Sequence, residues 1–513
     1  METSWLYVFA RRLTLLVGLM GCAGWLMQGC ALSEPDTQNV PESSLAETSP
    51  EHEVIVHLFE WKWTDVAREC EAFLGPKGYA AVQVSPPTEN AVVEGRPWWE
   101  RYQPVSYTLD NRSGTRAEFA DMVARCKAAG VDIYVDAILN HMTGVYAGIG
   151  TAGSTFSEYT YPGLYSYDDF HHCGLTENDD IWDFDDRQQV HTCELLNLAD
   201  LDTGSDTVRD RLAAYLNDLI NLGVAGFRID AAKHMAPSDL AAILDRLDGD
   251  PYIYQEVVDT APEPAWMPEY LATGAVTDFR YSAMVSDVFL NGSLARLHGD
   301  GSIWEDVTWL PADKALVFVD NHDNQRGHGA GGHIVTHKDG DLYTLAVVFM
   351  LAYPYGHPRV MSSYAFTDDA QGPPADAESR ITSVHGDGEV DCFGETWQCE
   401  HRRPAIANMV AFRRATASAA AVSNWWSNGD NQIAFSRGDR GFVALNNDEQ
   451  TLNATLQTGL AAGTYCNVID GGLAEDTRTC TGSSVTVSPD GTAAISVEPG
   501  RALALHAAAK TNS

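Results

Sequence analysis

The stretch at 116–141 reads RAEFADMVARCKAAGVDIYVDAILNH. Residues 116–129 carry helical spacing and residues 132–138 form an apolar, β-rich run, so a helix feeds a strand. The same alternation spreads outward from it. Strands are expected at 54–59, 80–84, 225–229, 252–255, 315–319 and 358–361, with a helix at 64–74 and helical patterns between the later strands. Repeated strand–helix alternation builds a parallel sheet. About eight strands in roughly 350 residues point to the α/β class and a closed (β/α)8 TIM barrel; periodicity alone also admits a doubly wound open sheet.

Two regions break the alternation. Residues 142–200 are loop-like, rich in Gly, Tyr and Asp, and read as a domain inserted after strand three. Beyond residue 420 the helical signal stops. Short alternating segments at 432–436, 441–445 and 484–487 mark a C-terminal antiparallel β domain over 421–508. The barrel then takes 53–141 and 201–420. At the N-terminus, Arg11 and Arg12 precede the apolar run 13–32, so 1–30 read as an export signal, long enough to anchor in a membrane if uncleaved. Cys22 and Cys30 follow small residues in a pattern that resembles the lipobox of bacterial lipoproteins. Two destinations follow: extracellular release, or a lipid anchor at the cell envelope. Residues 31–52, rich in Ser, Pro and Glu, have linker composition.

The chain has 513 residues, of which 45% are hydrophobic and 10% aromatic, enough for a sizeable core. Its formal net charge of −38 repels phosphate backbones and argues against a nucleic-acid partner. A neutral substrate meets no such penalty. The acidic surface suits a soluble exported protein, and also one adapted to salty water.

In a barrel the active groups lie at the C-terminal ends of strands. There the sequence places Asn140 and His141, then Arg228 and Asp230 with Lys233 and His234, then Glu256, then Asn321, His322 and Asp323. Asp230, Glu256 and Asp323 thus come from three strand ends on one rim. Glycosidic cleavage needs two carboxyl groups. One holds a proton for the leaving oxygen; the other, ionised, attacks the anomeric carbon or activates water. Trp98 and Trp99, with Tyr102 close by, offer flat faces for sugar rings on the same rim.

DAILNH at 136–141, GFRIDAAKH at 226–234, YQEV at 254–257 and FVDNHD at 318–323 resemble the four signature segments of the α-amylase family, glycoside hydrolase family 13. HLFEWKW at 57–63, PWWERYQP at 97–104, HDNQRGHGAGG at 322–332 and RVMSSY at 359–364 resemble its animal-type, chloride-dependent subgroup. The resemblance spans about 57–508. It implies a TIM barrel with a domain B after strand three and a C-terminal β-sandwich. It also implies endo-hydrolysis, with retention, of α-1,4-glucosidic bonds in starch, glycogen and maltooligosaccharides by a monomer. Asp230 matches the nucleophile, Glu256 the general acid/base and Asp323 the transition-state stabiliser. Trp98, Trp99, Tyr102, His141, Arg228, Lys233, His322 and His328 match substrate contacts, and 327–332 a Gly-rich loop that closes over substrate.

The same resemblance implies two ions. Asn140 and Asp200 match side-chain ligands of Ca2+, and His191 and His234 its backbone ligands; oxygen ligands suit this hard cation. Arg228, Asn321 and Arg359 match the ligands of Cl-. Cys70–Cys126, Cys173–Cys193, Cys392–Cys399 and Cys466–Cys480 match the family's disulfides. A further bridge of vertebrate members finds no Cys here, which fits a bacterial member. Two rival readings are a glucosyl-transferring or cyclodextrin-trimming relative and an inactive glucan-binding protein.

Overall fold

The computed structural model describes residues 53–511 except 264, 330–331, 387–389, 420 and 475–477. The export signal, the lipobox cysteines Cys22 and Cys30, the linker and the middle of the Gly-rich loop lie outside the described residues. Eight parallel strands close into a barrel: β1 (Ile55–Leu58), β2 (Ala81–Val84), β3 (Asp132–Ile138), β4 (Gly226–Asp230), β5 (Tyr252–Gln255), β6 (Ala275–Thr277), β7 (Ala315–Val317) and β8 (His357–Ser362). Each strand pairs with its neighbours in sequence, and β8 returns to β1 with Ile55 opposite Arg359. Most of these strands are buried on both faces, as a parallel sheet under a ring of helices requires. Among the described residues no helix is long and apolar enough to cross a membrane.

Three details depart from the sequence reading. Strand β6 has no counterpart in it, because three residues carry too little periodicity to register. The strand expected at 315–319 ends at Val317, and Asp320 to Asp323 follow in irregular chain that can bring several side chains to the rim. The helix expected at 64–74 is α1 (Trp63–Glu69) followed by a π-helical turn over Cys70–Leu74, whereas the helix expected at 116–129 forms as α2 (Arg116–Ala128).

Between β3 and the long helix α4 (Asp206–Leu222) the chain forms a small hairpin, Ala147–Ile149 with Thr155–Ser157, and a short helix α3 (Arg187–Thr192). Cys173–Cys193 ties α3 to the preceding loop. The other bridges are Cys70–Cys126, Cys392–Cys399 and Cys466–Cys480. The C-terminal part is antiparallel. A four-stranded sheet (423–427, 432–437, 441–446 and 501–506) faces two strand pairs across a core of Phe442, Leu452, Leu456, Ile495 and Leu505.

Strand β4 positions the chemistry, and it starts at a crowded glycine. A Cβ on Gly226 would lie 2.6 Å from the Tyr252 carbonyl oxygen of β5 and 2.8 Å from the Tyr134 ring. The absent side chain lets β4 approach β5 while Arg228 and Asp230, two and four residues on, point into the barrel. Gly226→Ala is expected to destabilise the fold by about 1–3 kcal/mol, as overpacking does. Chemical denaturation of the variant checks this, and an unchanged midpoint would contradict it.

Candidate active site

Arg228 stands at the centre of the rim. It is 1% exposed, and its two terminal nitrogens contact three carboxylates. Nη1 donates to Asp136 Oδ1 at 2.6 Å and to Asp230 Oδ1 at 2.7 Å, and Nη2 donates to Glu256 Oε1 at 2.6 Å. Asp136 and Arg228 are Cα partners across β3 and β4, so sheet register alone makes them neighbours. The other Glu256 oxygen accepts the Ala231 N–H at 3.0 Å. Ala231 is left-handed, with φ 48°, a conformation that costs a non-glycine residue about 1–3 kcal/mol. The turn aims this N–H at Glu256, so both oxygens of that carboxyl are held.

Several acids around one cation cannot all ionise freely. Burial pushes the Asp230 carboxyl well above its usual range; Glu256 and Asp136 add to the push, and Arg228 opposes it. Asp323 is pushed up to about 7, chiefly by burial and then by the charge of Glu256. Asp230 and Asp323 therefore hold their protons more tightly than ordinary carboxyls, each under the charges of its neighbours. The histidines go the other way. Burial lowers His322 well below its usual value and brings His141 down to about 4, so both are neutral hydrogen-bonding groups in this cleft. His322 Nε2 lies 3.3 Å from Asp323 Oδ2, and its ring stacks on Tyr102 with centroids 5.2 Å apart.

These groups open into a cleft of about 860 Å³, walled by Asp230, Glu256 and Asp323 together with Trp98, Trp99, Tyr102, His141, Lys233, His322 and His328. Trp98 is fixed by its indole N–H, which donates to the Asp369 carbonyl at 2.8 Å, whereas Trp99 is 36% exposed. Arg228, expected to touch substrate, does not wall the cleft. It lies behind Asp230 and Glu256, bonded to both, and acts as the group that places them. The sequence reading missed Asp136 and Gln83. Tyr102 donates its hydroxyl to Asp136 Oδ2 at 2.9 Å, and Gln83 donates to the same oxygen at 3.3 Å. The period-two alternation of β3, set in register against β4, carries the signal for Asp136. Phe184 and Trp266, also on the cleft wall, gave no such signal, because they sit in irregular chain.

The residues expected to hold the two ions make the following contacts. Asp200 is buried, accepts from Asn140 Nδ2 at 3.1 Å and contacts His171 Nδ1 at 2.7 Å. Burial pushes its carboxyl up to about 6, so a cation beside it would relieve a real penalty. His234 Nδ1 lies 3.3 Å from the Val190 carbonyl, which ties the loop after β4 to α3 of the inserted segment. Among the described residues no group of three or more His, Cys, Asp or Glu side chains is placed to hold a metal, so a site here needs main-chain oxygens. At the other site Arg359, 2% exposed, donates to Gln83 Oε1 at 2.7 Å rather than to a carboxylate. Burial pulls its guanidinium below the usual value, and the charge of Arg228 adds to the pull. Asn321 uses its side-chain oxygen to accept the N–H groups of Asp323 and Asn324 at 3.1 and 2.8 Å. A buried guanidinium that hydrogen-bonds neutral side chains such as Gln83 and Tyr254 is a fit for an anion.

Known proteins resemble this chain along most of its length. Residues 78–265 match the family described as alpha amylase, catalytic domain, and residues 425–508 match alpha amylase, C-terminal all-beta domain. An alpha-amylase-related protein of Drosophila atripex is 50% identical over 471 residues, covering 88% of this chain and 92% of the relative. The Drosophila melanogaster protein of the same description is 48% identical over 470 residues, covering 87% and 92%. A Glu-to-Gln mutant of alpha-amylase I from Eisenia fetida, solved with maltohexaose, superposes with a TM-score of 0.83 at 43% identity, covering 88% of this chain and 97% of that one. These are animal proteins, and they lend no support to a bacterial origin.

The charge of Asp136 helps hold the Asp230 and Asp323 carboxyls high. Asp136→Asn removes that charge with little change of shape, so both carboxyls should titrate at lower pH. The pH–rate profile is expected to move to the acid side; a profile that stays in place would contradict the shared-charge account.

Proposed function

The chain belongs to the alpha-amylase family and is a glycoside hydrolase of starch-type substrates, and from that premise we propose that it cuts α-1,4-glucosidic bonds internally, with retention, as a monomer outside the cell. Four disulfides suit that oxidising compartment. The observation that carries the mechanism is the Arg228 fork, which holds Asp230 and Glu256 on either side of one guanidinium. Two carboxyls sharing one cation favour the close spacing of a retaining pair, about 5 Å, over the wider gap that leaves room for a water.

In the first step Asp230 attacks the anomeric carbon, while Glu256 gives its proton to the departing glycosidic oxygen and the C1–O bond breaks. In the second, water attacks the same carbon, gives a proton back to Glu256, and releases Asp230. Asp323, across the cleft beside neutral His322, meets the positive charge that develops on the ring. The aromatic faces of Trp98, Trp99 and Tyr102 receive the sugar rings on the non-departing side. The maltohexaose bound to the Eisenia protein supports a glucan as the ligand of this kind of cleft.

Two ions complete the reading. Asn140 and Asp200, with the carbonyls of His191 and His234, would hold Ca2+, whose charge would join the inserted segment to the barrel. Arg228, Asn321 and Arg359 would hold Cl-, whose charge, when bound, would offset the pull of the two guanidiniums on Glu256.

Glu256→Gln is expected to lower kcat on soluble starch by about 10²–10⁴-fold, and Asp230→Asn at least as much, while maltooligosaccharide affinity stays close to that of the parent. Reducing-sugar release and isothermal titration measure the two; a Glu256→Gln protein with parental turnover would end the assignment. Arg359→Gln should make activity insensitive to added NaCl at constant ionic strength. Undiminished activation by chloride in that variant would remove Arg359 from the anion site.

A further inference from the structure

Beyond Glu256 the chain runs through Val258 and Asp259 to Trp266, a residue the catalytic account leaves unused. Asp259 Oδ2 accepts the Trp266 N–H at 2.7 Å and folds this segment back onto the cleft, where the indole forms part of the wall. The ring is 94% buried in effect, with only 6% exposed, and is gripped from two parts of the molecule. The Arg187 guanidinium, from the inserted segment, lies 4.4 Å from the ring centroid. Lys233, from the loop after β4, places Nζ 4.9 Å from it. Arg187 is itself anchored: Nη1 donates to Glu269 Oε2 at 2.8 Å and Nη2 to the Ala265 carbonyl at 3.2 Å.

The placement of Lys233 is the informative part. Its Nζ donates to the Val258 carbonyl at 3.1 Å and not to a carboxylate. One carbonyl and one indole face therefore position a cation in the cleft wall, and an ammonium group has three N–H donors, of which one meets the carbonyl. The Lys233 main-chain N–H bonds the Glu256 carbonyl at 3.2 Å, so the ammonium is tied to the strand end that carries the proposed acid.

We propose that Trp266 is a positioning residue for the leaving-group side of the cleft, holding Lys233 against the departing sugar and setting the preference for a glucan over a small leaving group. The proposal rests on the assignment of Glu256 as acid: the acid stands beside the departing oxygen, and Lys233, bonded through its main chain to the Glu256 carbonyl, carries Val258 and Trp266 with it. Trp98 and Tyr102 form a separate ring cluster with His322.

The test compares two substrates. Maltohexaose presents sugars to the leaving side; 4-nitrophenyl α-maltotrioside cut at its aryl bond presents only a nitrophenol. In Trp266→Ala the ratio of kcat/KM for maltohexaose to that for the aryl glycoside is expected to fall about tenfold, between the sizes of an exposed and a desolvated cation–π contact. Trp266→Phe should recover most of that ratio. Arg187→Ala, which loosens the clamp while keeping the indole, should move the ratio the same way by a smaller factor. Equal losses on both substrates, or no change in the ratio in either alanine variant, overturn the proposal. A parent enzyme that cleaves neither substrate would overturn the underlying reading of the cleft instead.

Discussion

A single guanidinium buried at the mouth of a closed barrel, facing three carboxyl groups within hydrogen-bond distance, is the constraint on which the site depends. Taking one charge out of water costs several kcal/mol, and the cost is met only when opposite charges and hydrogen bonds surround it. Arg228 meets it with Asp136 on one side and Asp230 and Glu256 on the other. The cation fixes where the two reactive carboxyls stand, and the carboxyls fix the cation. Asp136 is the member of the cluster that does not wall the cleft, and it adds negative charge beside the reactive carboxyls without competing for substrate.

The barrel interior continues this polar arrangement inward. Tyr254 donates its hydroxyl to Gln83 Oε1 at 2.9 Å, and Arg359 donates to the same oxygen. His57 and His322 meet edge to face with ring centroids 5.4 Å apart. A hydrogen-bonded layer of this kind sits in low dielectric, where each charge acts strongly on its neighbours. It explains why Asp323 lies near 7 while His141 lies near 4: burial drives both toward their neutral forms, and the surplus of acids raises the carboxyls further. A site that must both hold and release a proton near neutral pH is built from such opposed shifts.

Around this rigid centre the irregular segments shape the cleft. The inserted segment supplies Phe184, Leu196 and Arg187, and the chain after β5 supplies Asp259 and Trp266. Leu196 is 80% exposed on a left-handed backbone with φ 53°, an apolar lip held out over the cleft. Such loops vary without disturbing the barrel, so substrate preference can change while the carboxyl cluster stays in place.

The alternation of strand and helix, and the acids at strand ends, stand in the sequence because they are local: each depends on a few adjacent residues and a period of two or 3.6. Asp230, Glu256 and Asp323 were legible for that reason, and so were the ends of most strands. β6 was not, because a three-residue strand is recognised by its neighbours and not by its own pattern. The roles of Asp136, Gln83 and Trp266 were decided only by tertiary structure. Their partners lie far away in sequence, at Arg228, Arg359 and Arg187, and only closure of the barrel and folding of the inserted segment bring these groups within a few ångströms. Arg228 likewise changed from a substrate contact to the group behind the acids, because burial and distance, which no local pattern encodes, determine what a charge can touch.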